Sequence, residues 1–177
     1  GTGQSFLLKG LKKFTTDLVG IVGVTDSGRS TGTLRKHFDL GAPGDIRNCL
    51  VALSESPELL KKLFQYRFDK GKDLQGMALG NLFITALTQV TGRFDKAIKE
   101  TSKILRITGK IFPATAKNVH ICAELTNGKK VREEVNVRGL KKAPIKKVYL
   151  SEPAKALKET IKEIENADLI VLGPGGL

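Results

Sequence analysis

The sequence is poor in the residues that would mark several common kinds of protein. It has two cysteines, Cys49 and Cys122, far apart and each among apolar neighbours, so both are expected to be buried free thiols and not a disulfide. No CxxC pair exists and the two histidines, His37 and His120, are isolated, which excludes a zinc site of the usual spacing and leaves neither histidine an expected catalyst. Aromatic residues are only 6% and form no RNP-like motif. No apolar run approaches the length of a membrane span. The chain opens on Gly1-Thr2-Gly3 with no signal peptide, and a cytoplasmic location is expected. Internal repeats, low-complexity tracts and linkers are likewise missing.

What remains is the profile of one globular domain. The 177 residues suffice for a real core, with 40% hydrophobic and 27% charged residues. The net charge of +12 and isoelectric point near 9.8 raise nucleic acid as a partner. The cations are scattered, however, with the densest cluster over residues 129–147, so the excess reads mainly as solvated surface with some share in a site for anionic small ligands. Nucleic acid is not expected as a partner. A regulatory protein partner and homo-oligomer formation stay open.

Organisation centres on residues 24–50. The β-type run over 18–24 lacks polar alternation and reads as a parallel strand covered on both faces. It delivers the chain into Asp26-Ser27-Gly28-Arg29-Ser30-Thr31-Gly32, where a carboxylate, three hydroxyls, an arginine and two glycines stand without an apolar residue. Ligands of doubly wound α/β sheets bind at the carboxyl ends of such strands. Pro43-Gly44-Asp45-Ile46-Arg47-Asn48-Cys49-Leu50 follows, with Asp45 placed to cap an apolar helix or to meet a ligand. Ahead of the strand, Gly1-Thr2-Gly3 opens a helical pattern and offers backbone N–H groups to an anion.

Further along, Ser56 reads as the N-cap of a helix with Pro57 at its first position, and residues 77–90 and 94–105 carry apolar residues at helical spacing. Asn81 lies inside the first of these two, either facing a ligand or bonding nearby backbone. Alternation over 119–123 and 131–137 about Asn127-Gly128 predicts a β-hairpin. A strand over 145–150, a helix over 153–166 and a buried parallel strand over 168–172 complete the pattern. That last strand runs into Gly173-Pro174-Gly175, a second glycine loop at a ligand position. The expected fold class is α/β, a Rossmann-like, mainly parallel wound sheet with an inserted antiparallel β-hairpin region.

Several blocks in order resemble the gluconeogenesis-factor (YvcK-like, UPF0052) family. Residues 25–35 resemble its Asp-Gly-Gly-Ser-Ser-Gly segment, and Pro43-Gly44-Asp45-Ile46-Arg47-Asn48 resembles its most specific block. Tyr66-Arg67-Phe68, Leu79-Gly80-Asn81-Leu82, Phe112-Pro113-Ala114-Thr115 and Val171-Leu172-Gly173-Pro174-Gly175 are similar to further blocks. The wider superfamily includes the 2-phospho-L-lactate transferases of coenzyme F420 synthesis (CofD-like). The chain departs from the pattern at Ser27, where the family has a second aspartate, and at Arg29, where it has glycine.

The resemblance implies a single domain over 1–177, without the family's first strand and C-terminal part, that binds a nucleotide-sugar of the UDP-N-acetylglucosamine class. The implied role links carbon metabolism to cell-envelope synthesis and cell shape, without an established reaction. In that reading Thr2 and Gly3 hold phosphate through backbone N–H groups, joined by Ser27, Gly28, Arg29, Ser30 and Thr31. Asp26, Asp45 or Asn48 takes sugar or ribose hydroxyls, Asn81 is a further candidate, and Gly173 with Gly175 lets backbone approach the ligand. No catalytic residue and no metal are assigned. The alternative is a Mg²⁺-dependent phosphotransferase resembling the F420 enzymes, in which Asp26 and Asp45 hold the metal or activate an acceptor hydroxyl. Loss of a carboxylate at Ser27 counts against it. Binding of NAD(P) is a third reading, supported by Gly1-Thr2-Gly3 but lacking the acidic residue that ends the second strand of such folds.

Overall fold

The computed structural model describes residues 2–139 and 142–173; the side chain of Arg29, and Gly175, lie outside the described set. Helix α1 (Thr2–Leu11) lies ahead of strand β1 (Val19–Val22), and its Leu8 packs onto Gly20 of that strand. No residue of β1 is exposed, as an apolar strand covered on both faces requires. Helices α2 (Arg29–Phe38), α3 (Pro43–Leu53), α4 (Glu58–Gln65), α5 (Leu79–Thr91) and α6 (Phe94–Ile104) carry the chain round to β2 (Lys110–Pro113), which pairs parallel with β1 in the register Val19 to Lys110 through Val22 to Pro113. Strand, helical crossover and parallel strand form the unit that Rossmann-like folds repeat.

The core gathers around α3. Its buried face, Ile46, Cys49, Leu50 and Leu53, meets Val22 and Val24 from the first strand region, Ile84 from α5, and Ile98 and Leu105 from the α6 region. These positions follow the helical repeat of the sequence, which is why the helix was legible there. Both cysteines are free and buried, and burial pushes the Cys49 thiol up to about 11, so it packs as an inert apolar group.

The second unit is antiparallel. Strands β3 (Ile121–Leu125), β4 (Lys130–Arg132) and β5 (Ile145–Leu150) form a sheet in the order β4-β3-β5. The Asn127-Gly128 turn closes the hairpin, with Gly128 at φ +81° and Lys129 N–H donating to Asn127 Oδ1 at 3.1 Å. Helix α8 (Lys158–Glu165) follows β5.

The helix expected over 153–166 forms only over Lys158–Glu165, and three further expectations fail. The alternation over 131–137 does not make one strand: pairing stops at Arg132, Glu133 turns the backbone at φ +75°, and residues Glu134–Val137 form a helical turn, α7. Residues 168–172 are not a strand and are not buried; Leu169 and Leu172 are 80% and 95% exposed, with no described strand beside them to exchange backbone hydrogen bonds. Ser56 does not cap α4. Pro57 stands at the N-cap, and the Ser56 hydroxyl turns instead to the Ile104 carbonyl.

Candidate functional site

Beyond β1 the chain turns at Asp26, whose Oδ1 accepts the Gly28 N–H at 3.0 Å. That local bond sets Gly28 at the N-cap of α2, so Ser30, Thr31 and Gly32 are not loop residues but the first turn of a helix. The N-terminus of α3 abuts them: a Cβ placed on Gly44 would lie 2.6 Å from Thr31 Oγ1, 3.6 Å from Asp26 Oδ2 and 3.9 Å from Asn81 Nδ2. Only glycine lets the two helix ends approach this closely. Asn81, in the first turn of α5, donates from Nδ2 to Ser30 Oγ at 3.1 Å.

The N-termini of α2, α3 and α5 thus meet at Asp26, Ser30 and Thr31. Their N-cap residues, Gly28, Ala42 and Ala78, provide no side-chain cap. Helix N-termini leave N–H groups without intrahelical partners and carry partial positive charge. Converging, they favour an anion.

Arginines that sequence reasoning did not select surround this point. Arg35, 2% exposed, donates from Nη1 to the Asp26 carbonyl at 2.9 Å, and from Nε and Nη2 to Asn118 Oδ1 at 3.0 and 2.7 Å, fixing the site loop against the residues that precede β3. Arg47, 6% exposed, donates from Nη1 to Asn81 Oδ1 at 3.0 Å and from Nη2 to Asn48 Oδ1 at 2.9 Å. Its Nε is buried without a partner among the described residues. Burial, then the nearby charge of Arg67, push the Arg47 pKa down to about 10, against the opposing pull of Asp45. Arg67 itself reaches Ser30 Oγ at 3.4 Å and the Gly76 carbonyl.

From the antiparallel unit, α7 closes over the loop. Val135 N–H donates to Ser27 Oγ at 3.3 Å, and the Glu134 carboxyl hydrogen-bonds that of Asp26 while pairing with Arg138 at 2.9 Å. Burial raises the Asp26 pKa; the Gly28 N–H opposes this, and the Glu134 carboxyl adds to it. The native protein therefore holds an extra proton at Asp26 over a window above the ordinary aspartate value, and this residue's contribution to stability falls as pH rises through that window. Asp26→Asn is expected to raise the melting temperature relative to the parent by a margin that grows from about pH 4 to about pH 7. Thermal unfolding followed by circular dichroism checks this, and a margin independent of pH would contradict it.

The remaining candidates divide. Asp45 is the third residue of α3 and half-buried, but it is not the N-cap: Pro43, with φ already fixed for a helix, starts the helix two residues earlier and Ala42 takes the cap position. Asn81 is 1% exposed and bonds two side chains, not neighbouring backbone. Asn48 turns away from Asp26, accepting from Arg47 and Gln65 and lining a cavity of about 350 Å³ with Ser5, Lys9 and Lys12. Thr2 and Gly3 open α1, whose Gln4 donates to the Ile21 carbonyl at 2.9 Å; a Cβ on Gly173 would lie 4.0 Å from Gln4 Cγ. These three residues gather beside β1, with no described contact to Asp26. Arg29 is the first residue of α2. Among the described residues no group of three His, Cys, Asp or Glu assembles for a metal ion, and no helix is long and apolar enough to cross a membrane.

A parallel strand pair with a polar loop and three uncapped helix ends after β1 defines an α/β protein of the Rossmann-like class, joined here to a small antiparallel sheet. The family of 2-phospho-L-lactate transferase CofD matches over residues 1–177, and the chain belongs to this CofD family. Its relatives include the gluconeogenesis factor of Bacillus subtilis (strain 168), 46% identical over 178 residues, and that of Halalkalibacterium halodurans, 45% identical over 178 residues. All of this chain is covered in both cases, with 56% and 55% of the relative. A relative from Aquifex aeolicus (strain VF5) is 54% identical over 185 residues, again covering all of this chain and 56% of the other. A crystal structure of a UPF0052-family protein from Bacillus halodurans superposes with a TM-score of 0.94 at 45% identity, covering 99% of this chain and 56% of that one. The chain therefore spans about half the length of the curated relatives it matches.

Proposed function

We propose that this chain supplies the nucleotide-sugar-binding part of a gluconeogenesis factor, with ligands of the UDP-N-acetylglucosamine class held without turnover, and that binding links carbon metabolism to envelope synthesis and cell shape. The observation that carries the reading is the convergence of three uncapped helix N-termini on Ser30 and Thr31, backed by Arg47 and Arg67. A diphosphate matches that arrangement in charge and in demand for donors. Asp26 and Asp45 offer acceptors for sugar or ribose hydroxyls. The relatives named gluconeogenesis factors support the carbon-metabolism side of this reading.

Calorimetric titration of UDP-N-acetylglucosamine into the intact protein, beside UMP, GDP and NAD, tests the reading. Selective binding of the UDP-sugar that does not need Mg²⁺ is expected. Asp45→Ala should weaken it about tenfold, the loss of one charge-assisted hydrogen bond, and unchanged affinity with an intact fold removes Asp45 from the site.

A Mg²⁺-dependent phosphotransferase is the second reading, favoured by the family's description and by the adjoining carboxyls of Asp26 and Glu134. One or two carboxylates together with substrate phosphates satisfy Mg²⁺, so these two side chains fit a role in holding it, the ion supplying charge neutralisation at the phosphates. Binding of GDP that requires Mg²⁺ would move the protein to this reading.

A further inference from the structure

Beside the site, and distinct from it, a cleft of about 1060 Å³ opens between α2 and the β3–β4 hairpin. Five cations line it, Lys36, Lys129, Lys130, Arg132 and Lys142, against one carboxylate, Glu133. Elsewhere on this sheet Lys146 pairs with Glu124 at 2.9 Å. Of the cleft's cations, Lys36, Lys129, Lys130 and Arg132 form no ion pair among the described residues. An unneutralised group of like charges facing one open concavity is costly to hold without an anionic occupant and draws one in.

We infer that this cleft is a docking surface for an acidic, extended peptide segment of a partner protein. Lys130 and Arg132 stand two residues apart on an edge strand and are both exposed, so they project from one face about 6.6 Å apart. That is the repeat at which alternate Asp or Glu side chains project from an extended chain. Val135, from the α7 turn, supplies apolar contact beside the charges. No aromatic side chain lines the cleft among the described residues, so the stacking platforms that hold single-stranded nucleic acid are missing. The cleft also adjoins the site: Val135, on its wall, is the residue whose N–H holds Ser27.

Fluorescence anisotropy with a labelled oligo-glutamate peptide and an oligothymidylate of equal charge, at physiological salt, tests this in the intact protein. The peptide is expected to bind more tightly than the oligonucleotide. Lys130→Glu and Arg132→Glu together should weaken it at least about tenfold. Lys96→Glu with Lys99→Glu on α6, which changes net charge equally on exposed residues outside the cleft, should leave affinity within about twofold. Absence of peptide binding, equal losses in both double variants, or tighter binding of the oligonucleotide would each overturn the inference. Melting curves of both double variants establish that the fold is retained.

Discussion

Replacing Gly32 with alanine is expected to lower the melting temperature by about 4–12 °C, a loss of about 2–3 kcal/mol for a chain of this size. A Cβ at Gly32 would lie 2.2 Å from the Ser27 carbonyl oxygen and 3.0 Å from its carbon. Both are backbone atoms, so no side-chain rotation relieves the overlap. Alanine gains about 1 kcal/mol of helix propensity over glycine, and the overlap exceeds that gain. Relief requires Ser27 to move, and Ser27 is where the loop is held: its hydroxyl accepts the Val135 N–H, and it adjoins Asp26, whose Oδ1 sets the start of α2. Gly10 is the control, because nothing lies within 4 Å of a Cβ there. Gly10→Ala should be neutral or slightly stabilising. Urea unfolding of the two variants decides the matter, and a Gly32→Ala protein as stable as the parent would mean that the loop shifts freely and is not a preformed site. If the proposed ligand is correct, Gly32→Ala also weakens UDP-N-acetylglucosamine binding by at least about tenfold, about 1.4 kcal/mol.

Why Gly32 escaped notice as a constraint, while its neighbours did not, shows how far the sequence could be read. Density of small polar residues after an apolar strand marked the candidate site, because folds seldom place such residues there without a ligand. The helices α3, α5 and α6 were legible from their 3.6-residue repeat, and the hairpin from Asn127-Gly128. Strand β2 was not, since four residues ending in proline carry no period; it is a strand because β1 lies beside it. Its strand character is tertiary in origin. The same holds for the partners of Asp26. Arg35, which holds the Asp26 carbonyl, is itself anchored by Asn118, 83 residues away, and Val135 meets Ser27 across 108 residues. Nothing local marks Glu134 as a neighbour of Asp26, and the period-2 pattern over 131–137 pointed to a strand until the positive φ of Glu133 broke it. Arg47 had a usable signal. It stands three residues before Leu50 and one after Ile46, on the helix face that buries, and a buried arginine needs partners. Arg67, in the Tyr66-Arg67-Phe68 block, reaches the site only because the bridge between Arg67 and Ala78 folds its segment back onto α5.

The status of Asn81, contact or support, is settled by a pair of substitutions. Asn81→Ala removes the acceptor of Arg47 Nη1 and the amide that donates to Ser30 Oγ. Arg47 has no slack to absorb the loss, since its Nε is already without a partner among the described residues and a Cβ on Gly80 would lie within 2.7 Å of its Cδ, so the stem cannot swing away without leaving its packing. Stranding a buried charged donor in this way is expected to cost about 2–4 kcal/mol of stability. Asn81→Asp keeps an oxygen for the guanidinium and makes that bond charge-assisted, while the Ser30 hydroxyl can turn to donate to the second oxygen and still accept from Arg67. Its stability should fall within about 1 kcal/mol of the parent. Binding then separates the two roles. If Asn81 only supports Ser30 and Arg47, Asn81→Asp binds UDP-N-acetylglucosamine within about threefold of the parent, because burial keeps the new charge paired with Arg47. If Asn81 touches phosphate, the carboxylate repels it and affinity falls by at least about a hundredfold. With Asn81 1% exposed and both ends of its amide engaged, support is the expected result, and the phosphate contacts then belong to Ser30, Thr31 and the N–H groups of α2 and α3.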